Sequence, residues 1–256
     1  HLISYTMIRK FYTLLLCITA IFFSVQLFSQ NKVINSKEKG TEAAYIDSKD
    51  LSSGLIAYYP FNGNSNDGSG NGNNGTENGG VALTTDRFGA ENSAYSFDGI
   101  DDYISLGVIQ NYISHSFSGW FKIQGETSSY GVIVSKLYND IYYAKNSEIR
   151  IDGDHSNGFT ISSQIGTGSI WEGVQYNPVD TSIWNHFVFI FDDTEKTLKL
   201  YLNSSLVESK IISGYSDVES TPTYIGARPY WSGADGTTFF FNGYIDDVRI
   251  YNRALT

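Results

Sequence analysis

The chain has 256 residues, 41% of them hydrophobic and 15% aromatic, with 17 Lys and Arg against 27 Asp and Glu for a formal net charge of −10. That balance argues against a nucleic-acid partner, because phosphate binding needs a basic face that releases counterions. The single thiol, Cys17, lies in the apolar N-terminal run, which excludes a disulfide framework within the chain, a thiolate zinc site and a redox pair.

Met7, then Arg9 and Lys10, then an apolar run over 11–25 and the stretch Gln26-Leu27-Phe28-Ser29-Gln30 follow the order of a secretory signal peptide. Met7 reads as the start and Ser29 as the residue before the cut. An uncleaved anchor is the alternative, but Thr13, Thr19, Ser24 and Gln26 dilute the ~20 apolar residues a spanning helix needs. After cleavage no membrane span is expected, and the product is secreted or held at the cell surface. Residues 1–29 are thus upstream and signal sequence. Residues 30–53, rich in Lys, Glu and Asp without a period, read as a linker.

From Gly54 onward, short β-branched and aromatic runs are separated by Gly, Asn and Asp, the punctuation of an all-β sandwich or barrel. Strands are predicted over 55–61, 94–97, 103–106, 116–123, 131–136, 148–151, 159–164, 187–191, 198–202, 223–225 and 244–251. No amphipathic helix competes and no repeat divides the region, so 54–256 reads as one domain. Leu198, Leu200 and Leu202 alternate with Lys199 and Tyr201, which predicts a half-buried strand. Phe187-Val188-Phe189-Ile190-Phe191 is apolar throughout and predicts a strand covered on both faces. The turn 192–196 joins the two as a hairpin.

In the last strand strict alternation puts Tyr244, Asp246, Val248 and Ile250 on one face. A carboxylate turned toward an apolar face costs several kcal/mol unless paired, so Asp246 needs a cation or strong donors. A Ca²⁺ ion, which takes six to eight oxygens, would serve. A solvated place at the sheet rim, or bonds to backbone N–H groups, is the alternative. The loop 62–75 carries one carboxylate, Asp67, too few for an EF-hand-like site, and reads as a turn-rich surface loop. Asp101 and Asp102, if extended, point to opposite faces.

Glu148, Arg150 and Asp152 share a face of their strand, but the two carboxylates stand roughly 13 Å apart along it. Glycoside hydrolysis uses about 5 to 9.5 Å. With Arg150 between them, an exposed ion-pair stripe is expected and catalysis is not. His115, His155 and His186 lack ligand spacing and read as surface or packed histidines, and no Gly-x-Ser-x-Gly elbow is found. Trp120 and Trp184 fall in strand contexts and read as structural. Trp171, Tyr230 and Trp231 sit in polar, Gly-containing stretches, where rings can stack on a sugar or fold back as lids on the sandwich.

Three segments together carry a family likeness: Gly54-Leu-Ile-Ala-Tyr-Tyr-Pro-Phe-Asn-Gly-Asn64, Ser96-Phe-Asp-Gly-Ile-Asp-Asp-Tyr-Ile104 and Phe241-Asn-Gly-Tyr-Ile-Asp-Asp-Val-Arg-Ile-Tyr-Asn-Arg-Ala-Leu255, with Trp184-Asn-His-Phe-Val188 between. In this order they resemble the laminin-G-like, concanavalin A-like lectin/glucanase family in its bacterial secreted branch, over about 54–256. The resemblance implies a two-sheet antiparallel jelly-roll sandwich, a frequent structural Ca²⁺, and binding of a poly- or oligosaccharide or an extracellular protein without catalysis. It points to Asp246 as the side-chain calcium ligand, with backbone oxygens near Asn62 and Gly99, and it leaves Trp171, Tyr230 and Trp231 as candidate sugar contacts. A protein adhesion module and a sandwich-fold glycoside hydrolase are the two alternatives.

Overall fold

The computed structural model describes residues 51–109, 113–124, 130–136, 147–154, 158–166, 170–213, 222–228 and 239–256. The signal segment, Tyr230, Trp231 and His155 lie outside these residues. A compact unit runs from Ser48 to Thr256. Its regular elements, in chain order, are β1 (Leu55–Tyr59), β2 (Thr76–Asn78), β3 (Ala82–Thr84), β4 (Ala94–Asp98), β5 (Tyr103–Val108), β6 (His115–Ile123), β7 (Tyr130–Lys136), β8 (Ser147–Asp154), β9 (Gly158–Gly166) and β10 (Trp171–Val179). There follow β11 (Asn185–Asp192), β12 (Thr197–Leu202), β13 (Ser205–Ile211), β14 (Pro222–Ile225), β15 (Ala227–Arg228), β16 (Phe239–Phe240) and β17 (Asn242–Tyr251).

Every predicted strand is present, and all pairings are antiparallel. The first sheet runs β13-β12-β11-β6-β17-β4-β3, with β1 also on β17, and the second runs β10-β9-β8-β7-β14-β5-β2. The two pack face to face as a jelly-roll sandwich over one core. The first sheet supplies Phe97, Phe117, Phe121, Phe187, Phe189 and Phe191; the second answers with branched aliphatics such as Ile104, Val134, Ile149, Ile151, Ile161 and Ile225, all fully buried. Broad rings meet β-branched side chains across the ~10 Å between sheets. Gly119 lies between Phe117 and Phe121 because a Cβ there would press on the Phe187 ring at 3.1 Å.

The leucines of β12 face this core as predicted, with Lys199 and Tyr201 half-buried outside. β11 departs from expectation. Phe187, Phe189 and Phe191 are in the core, but Val188, on the opposite face of the strand, is only half-buried. The polar, Gly-containing stretch at Trp171, where no strand is predicted, is the edge strand β10.

Two strands share one edge of β17. Residues 242–245 pair with β4, whereas Val248, Arg249 and Ile250 pair with Tyr59, Tyr58 and Ala57 of β1. The change-over falls at Asp246-Asp247, where the register against β6 also slips and Asp247 takes a positive φ of 52°. This bulge inverts the phase of the strand. Ile245, Val248 and Ile250 face the core while Asp246, opposite Trp120, faces outward. Asp246 therefore does not share a face with Val248 and Ile250, as strict alternation had predicted. It is nonetheless 1% exposed, because a loop covers it.

Candidate functional site

Two polar clusters stand out, one on the outer face of each sheet. On the second sheet, Ile149 and Ile151 point inward, so Glu148, Arg150 and Asp152 of β8 project to the outside. The Arg150 guanidinium is 3.0 Å from Glu148 and 2.7 Å from Asp152, and Arg228 of β15 approaches Glu148 at 3.1 Å. Ser162, from the neighbouring β9, donates to the second oxygen of Asp152 at 2.7 Å. The ion-pair stripe is present, but it is not exposed at both ends: Glu148 has no accessible surface. Burial works against the Arg150 charge, yet the carboxylates of Glu148 and Asp152 raise its pKa further above the usual arginine value.

Aromatic rings frame this stripe. Arg150 lies 4.5 Å over the Tyr130 ring and Arg228 lies 4.4 Å over Phe239, and these two rings meet edge-on at 5.3 Å. Phe240, Tyr103 and Tyr224 continue the row along the face. Trp171 belongs to the same face: Glu172 and Val174 turn inward on β10, so Trp171 and Gly173 turn out, two strands from Glu148. Tyr230 and Trp231 follow Arg228 in sequence after Pro229, outside the described residues.

The second cluster surrounds Asp246 on the first sheet. Arg87, from the loop between β3 and β4, places Nη1 2.5 Å from Asp246 Oδ2 and Nη2 2.6 Å from Asp247 Oδ2. Tyr58 donates its hydroxyl to Asp247 Oδ1 at 2.6 Å and carries the Arg249 guanidinium 4.1 Å above its ring. Burial and then the Asp247 bond push the Tyr58 hydroxyl up to about 12. Burial, and then the charge of Asp247, push Asp246 up to about 7 against the pull of Arg87. His186, its ring tilted against that of Trp120 at 4.9 Å, is held below the usual histidine range by burial and by Arg249 and Arg87.

The donor set at Asp246 does not fit calcium. Its Oδ2 is bonded to a guanidinium, and of the oxygens around it only Asp246 Oδ1 is buried without a hydrogen-bond partner. Gly99 is remote from it: it lies against Asn242, four residues up β17, roughly 13 Å along the strand. The Asn62 carbonyl accepts from its own neighbour Asn64. A different set converges around Gly99. In the turn after β4, Asp98, Asp101 and Asp102 bring carboxylate oxygens within 4.8 Å of one another. Asp101 and Asp102 do not oppose each other here, because the chain is bent rather than extended. Asp102 is buried, accepting from Gly80 at 2.5 Å and from Asp98 at 2.9 Å through their backbone N–H groups.

The loop 62–75 is organised by its one carboxylate. Asp67 accepts from the backbone N–H groups of Tyr58, Ser69 and Asn73 at 2.8–3.0 Å and from the Ser69 hydroxyl at 2.9 Å. Burial opposes its charge, but these donors hold its pKa below the ordinary carboxylate range. His115 is a packed histidine: Nδ1 is 2.9 Å from the Ile113 carbonyl and Nε2 is 2.7 Å from the Ser147 hydroxyl.

The laminin G family model described as the concanavalin A-like lectin/glucanases superfamily matches residues 97–256. The chain belongs to that superfamily. No curated protein sequence matches it. Among solved structures, the binding domain of botulinum neurotoxin DC in complex with rat synaptotagmin II is 14% identical with a TM-score of 0.59, over 81% of this chain and 50% of that one. A botulinum neurotoxin type C structure tied to an interaction with two ganglioside molecules is 16% identical, TM-score 0.59, over 80% and 50%. The Ruminococcus gnavus IT-sialidase CBM40 bound to α2,3-sialyllactose is 14% identical, TM-score 0.47, over 62% and 92%. This superfamily member thus spans about half the length of the neurotoxin domains, and at these identities the likeness is one of fold. No helix among the described residues is long and apolar enough to cross a membrane.

Reading the sequence for paired carboxylates found Glu148 and Asp152 but missed Arg228, which closes the cluster from β15. It also missed Arg87. The signal available was an arginine flanked by Asp86 and Phe88 in a region otherwise short of base.

Proposed function

We propose that this chain is an exported, non-catalytic carbohydrate-binding module, with its ligand face on the outside of the second sheet. One observation carries this: Glu148, Arg150, Asp152 and Arg228 are locked to one another in a row beside the rings of Tyr130 and Phe239. Rings stack on the apolar faces of sugars, and fixed charged groups orient the hydroxyls. Trp171 extends the face on one side. Tyr230 and Trp231 remain part of the proposal through their place in sequence after Arg228.

The reading is non-catalytic because no carboxyl of the row is poised to carry a proton. Both oxygens of Glu148 accept from arginines, and those of Asp152 are held by Arg150 and Ser162. Neurotoxin domains of the same fold are described with gangliosides and with a protein receptor, so the fold is compatible with either ligand class. A protein partner is the second reading, favoured by Leu206 and Ile211 of edge strand β13, which are 51% and 77% exposed. Calcium belongs to the proposal at Asp98, Asp101 and Asp102 rather than at Asp246. The signal-like segment from Met7 to Ser29 supports export.

A glycan array probed with the purified chain tests the function. Binding that free sugar abolishes, and that Arg228→Ala weakens, supports it. Absence of glycan signal together with capture of a protein through β13 overturns it, and release of reducing ends from a polysaccharide overturns the non-catalytic part.

A further inference from the structure

The sequence predicts a metal ion beside Asp246, and the structure sets an arginine there. Arg87 is not a surface side chain that has drifted onto an acid. Its loop is closed by Asp86, whose carboxylate accepts from the N–H groups of Phe88 and Ala90 at 2.8 Å, and by the Ser93 N–H bond to Thr84 at 3.0 Å. The guanidinium then lies between two rings, 4.4 Å over Phe88 and 4.6 Å over Trp120. Its side chain is 15% exposed and that of Asp246 2%.

The target of this fork is the bulge where β17 passes from β4 to β1. The bulge brings two consecutive carboxylates together on the outer face, an arrangement that like-charge repulsion and desolvation both oppose. A planar guanidinium suits such a pair, because its two Nη groups reach two oxygens at once and its weak hydration eases burial between rings. A calcium ion would need six to eight oxygens, and Asp246 Oδ2 and Asp247 Oδ2 already accept from Arg87.

We propose that Arg87 is the resident counter-ion of Asp246, a covalently attached cation fixed where the sequence predicts calcium, so that, with Arg249 3.4 Å from Asp247, the Asp246-Asp247 bulge is charge-balanced without a metal. The loop between β3 and β4 thereby becomes a strut holding β17 in its shifted register. A lysine cannot replace it fully, since one ammonium is a point charge. This assignment is independent of the ligand face on the second sheet and of calcium at the Asp98 turn.

The test is thermal unfolding of the full chain in excess EDTA and in excess calcium chloride, for the wild type, Asp246→Asn, the double variant Asp98→Asn/Asp101→Asn, and Arg87→Met. Any calcium-dependent shift of the wild type is expected to persist in Asp246→Asn and to vanish in the double variant. Arg87→Met in EDTA is expected to melt roughly 10 °C below the wild type. A calcium shift that Asp246→Asn abolishes and the double variant keeps would place the metal at Asp246 and overturn the proposal. So would an Arg87→Met protein melting at the wild-type temperature. If Arg87→Met does not fold, Arg87→Lys decides: a melting temperature clearly below the wild type in EDTA, with a calcium shift no larger than that of the wild type, supports the counter-ion, and a wild-type value overturns it.

Discussion

Arg228 of β15 lays its guanidinium 3.1 Å from Glu148 of β8, on a carboxylate that has no contact with solvent. Because Arg150 holds the same carboxylate from the other side, Glu148 is the hub of the cluster and Asp152 its partly exposed end. Glu148→Ala leaves two arginines facing each other and is expected to cost about 3 kcal/mol of unfolding free energy. Asp152→Ala should cost under about 1 kcal/mol, since its side chain is 22% exposed. Urea unfolding of the two variants gives both numbers.

His115 gives a pH dependence of definite sign. It is wholly buried and its pKa is lowered from 6.5 to about 4, first by burial, against the bond to Ile113, with the Lys136 charge lowering it further. The unfolded chain therefore takes up a proton near pH 6.5 that the folded chain refuses until about pH 4. Its contribution is present in full above pH 6.5 and is lost as pH falls toward 4, about 3 kcal/mol in all. Comparing wild type with His115→Asn isolates this from the carboxylates. The variant should lose less stability between pH 7 and 4.5 (roughly, the window set by the two pKa values), and parallel curves would refute the assignment.

Gly226, just after β14, sits at φ +85° with the Phe97 ring against its Cα. Its N–H donates to Ile133 at 3.0 Å and its carbonyl accepts from Phe241 at 2.8 Å, so the backbone cannot retreat. Gly226→Ala combines left-handed strain with a core clash and is expected to destabilise by roughly 3 kcal/mol. A melting temperature within a degree or two of wild type would show that Phe97 yields.

The ligand face predicts a pattern among aromatic substitutions. Trp171→Ala and Tyr130→Ala each remove a ring from the outside of the second sheet and should weaken polysaccharide retention roughly tenfold, equivalent to about 1.4 kcal/mol. Trp184→Ala, on the first sheet beside Tyr244, should leave retention unchanged. Affinity electrophoresis through polysaccharide gels compares the three, and equal loss in all of them would point to general unfolding instead.

Strands with strong patterning were legible in the sequence. Leu198 to Leu202 alternate, and the runs at 116–123 and 187–191 concentrate Phe, so their burial follows from composition. β10 was hidden by Gly173, Asn177 and Pro178, which read as loop residues but are tolerated because β10 is the edge of its sheet. β2, β3, β15 and β16, of two or three residues each, are too short to leave a periodic trace. At Asp246 the residue was found and its direction was misread. The phase of β17 is reversed by a positive φ at Asp247, which nothing in the local sequence announces, and the partner that makes the site stands 159 residues away.

The pairing of β1 with β17 has a mechanical meaning. Leu55 lies opposite Tyr251, the Asn252 N–H donates to the Gly54 carbonyl at 2.8 Å, and Arg253 reaches the Ser53 carbonyl at 2.7 Å. Tension applied through both flanks would therefore pull at one pole and open this ladder like a zipper, loading its bonds one after another rather than all together. A sandwich tethered by both ends would yield first by peeling β1 from its neighbour, while one tethered by a single end would bear no load across the core at all.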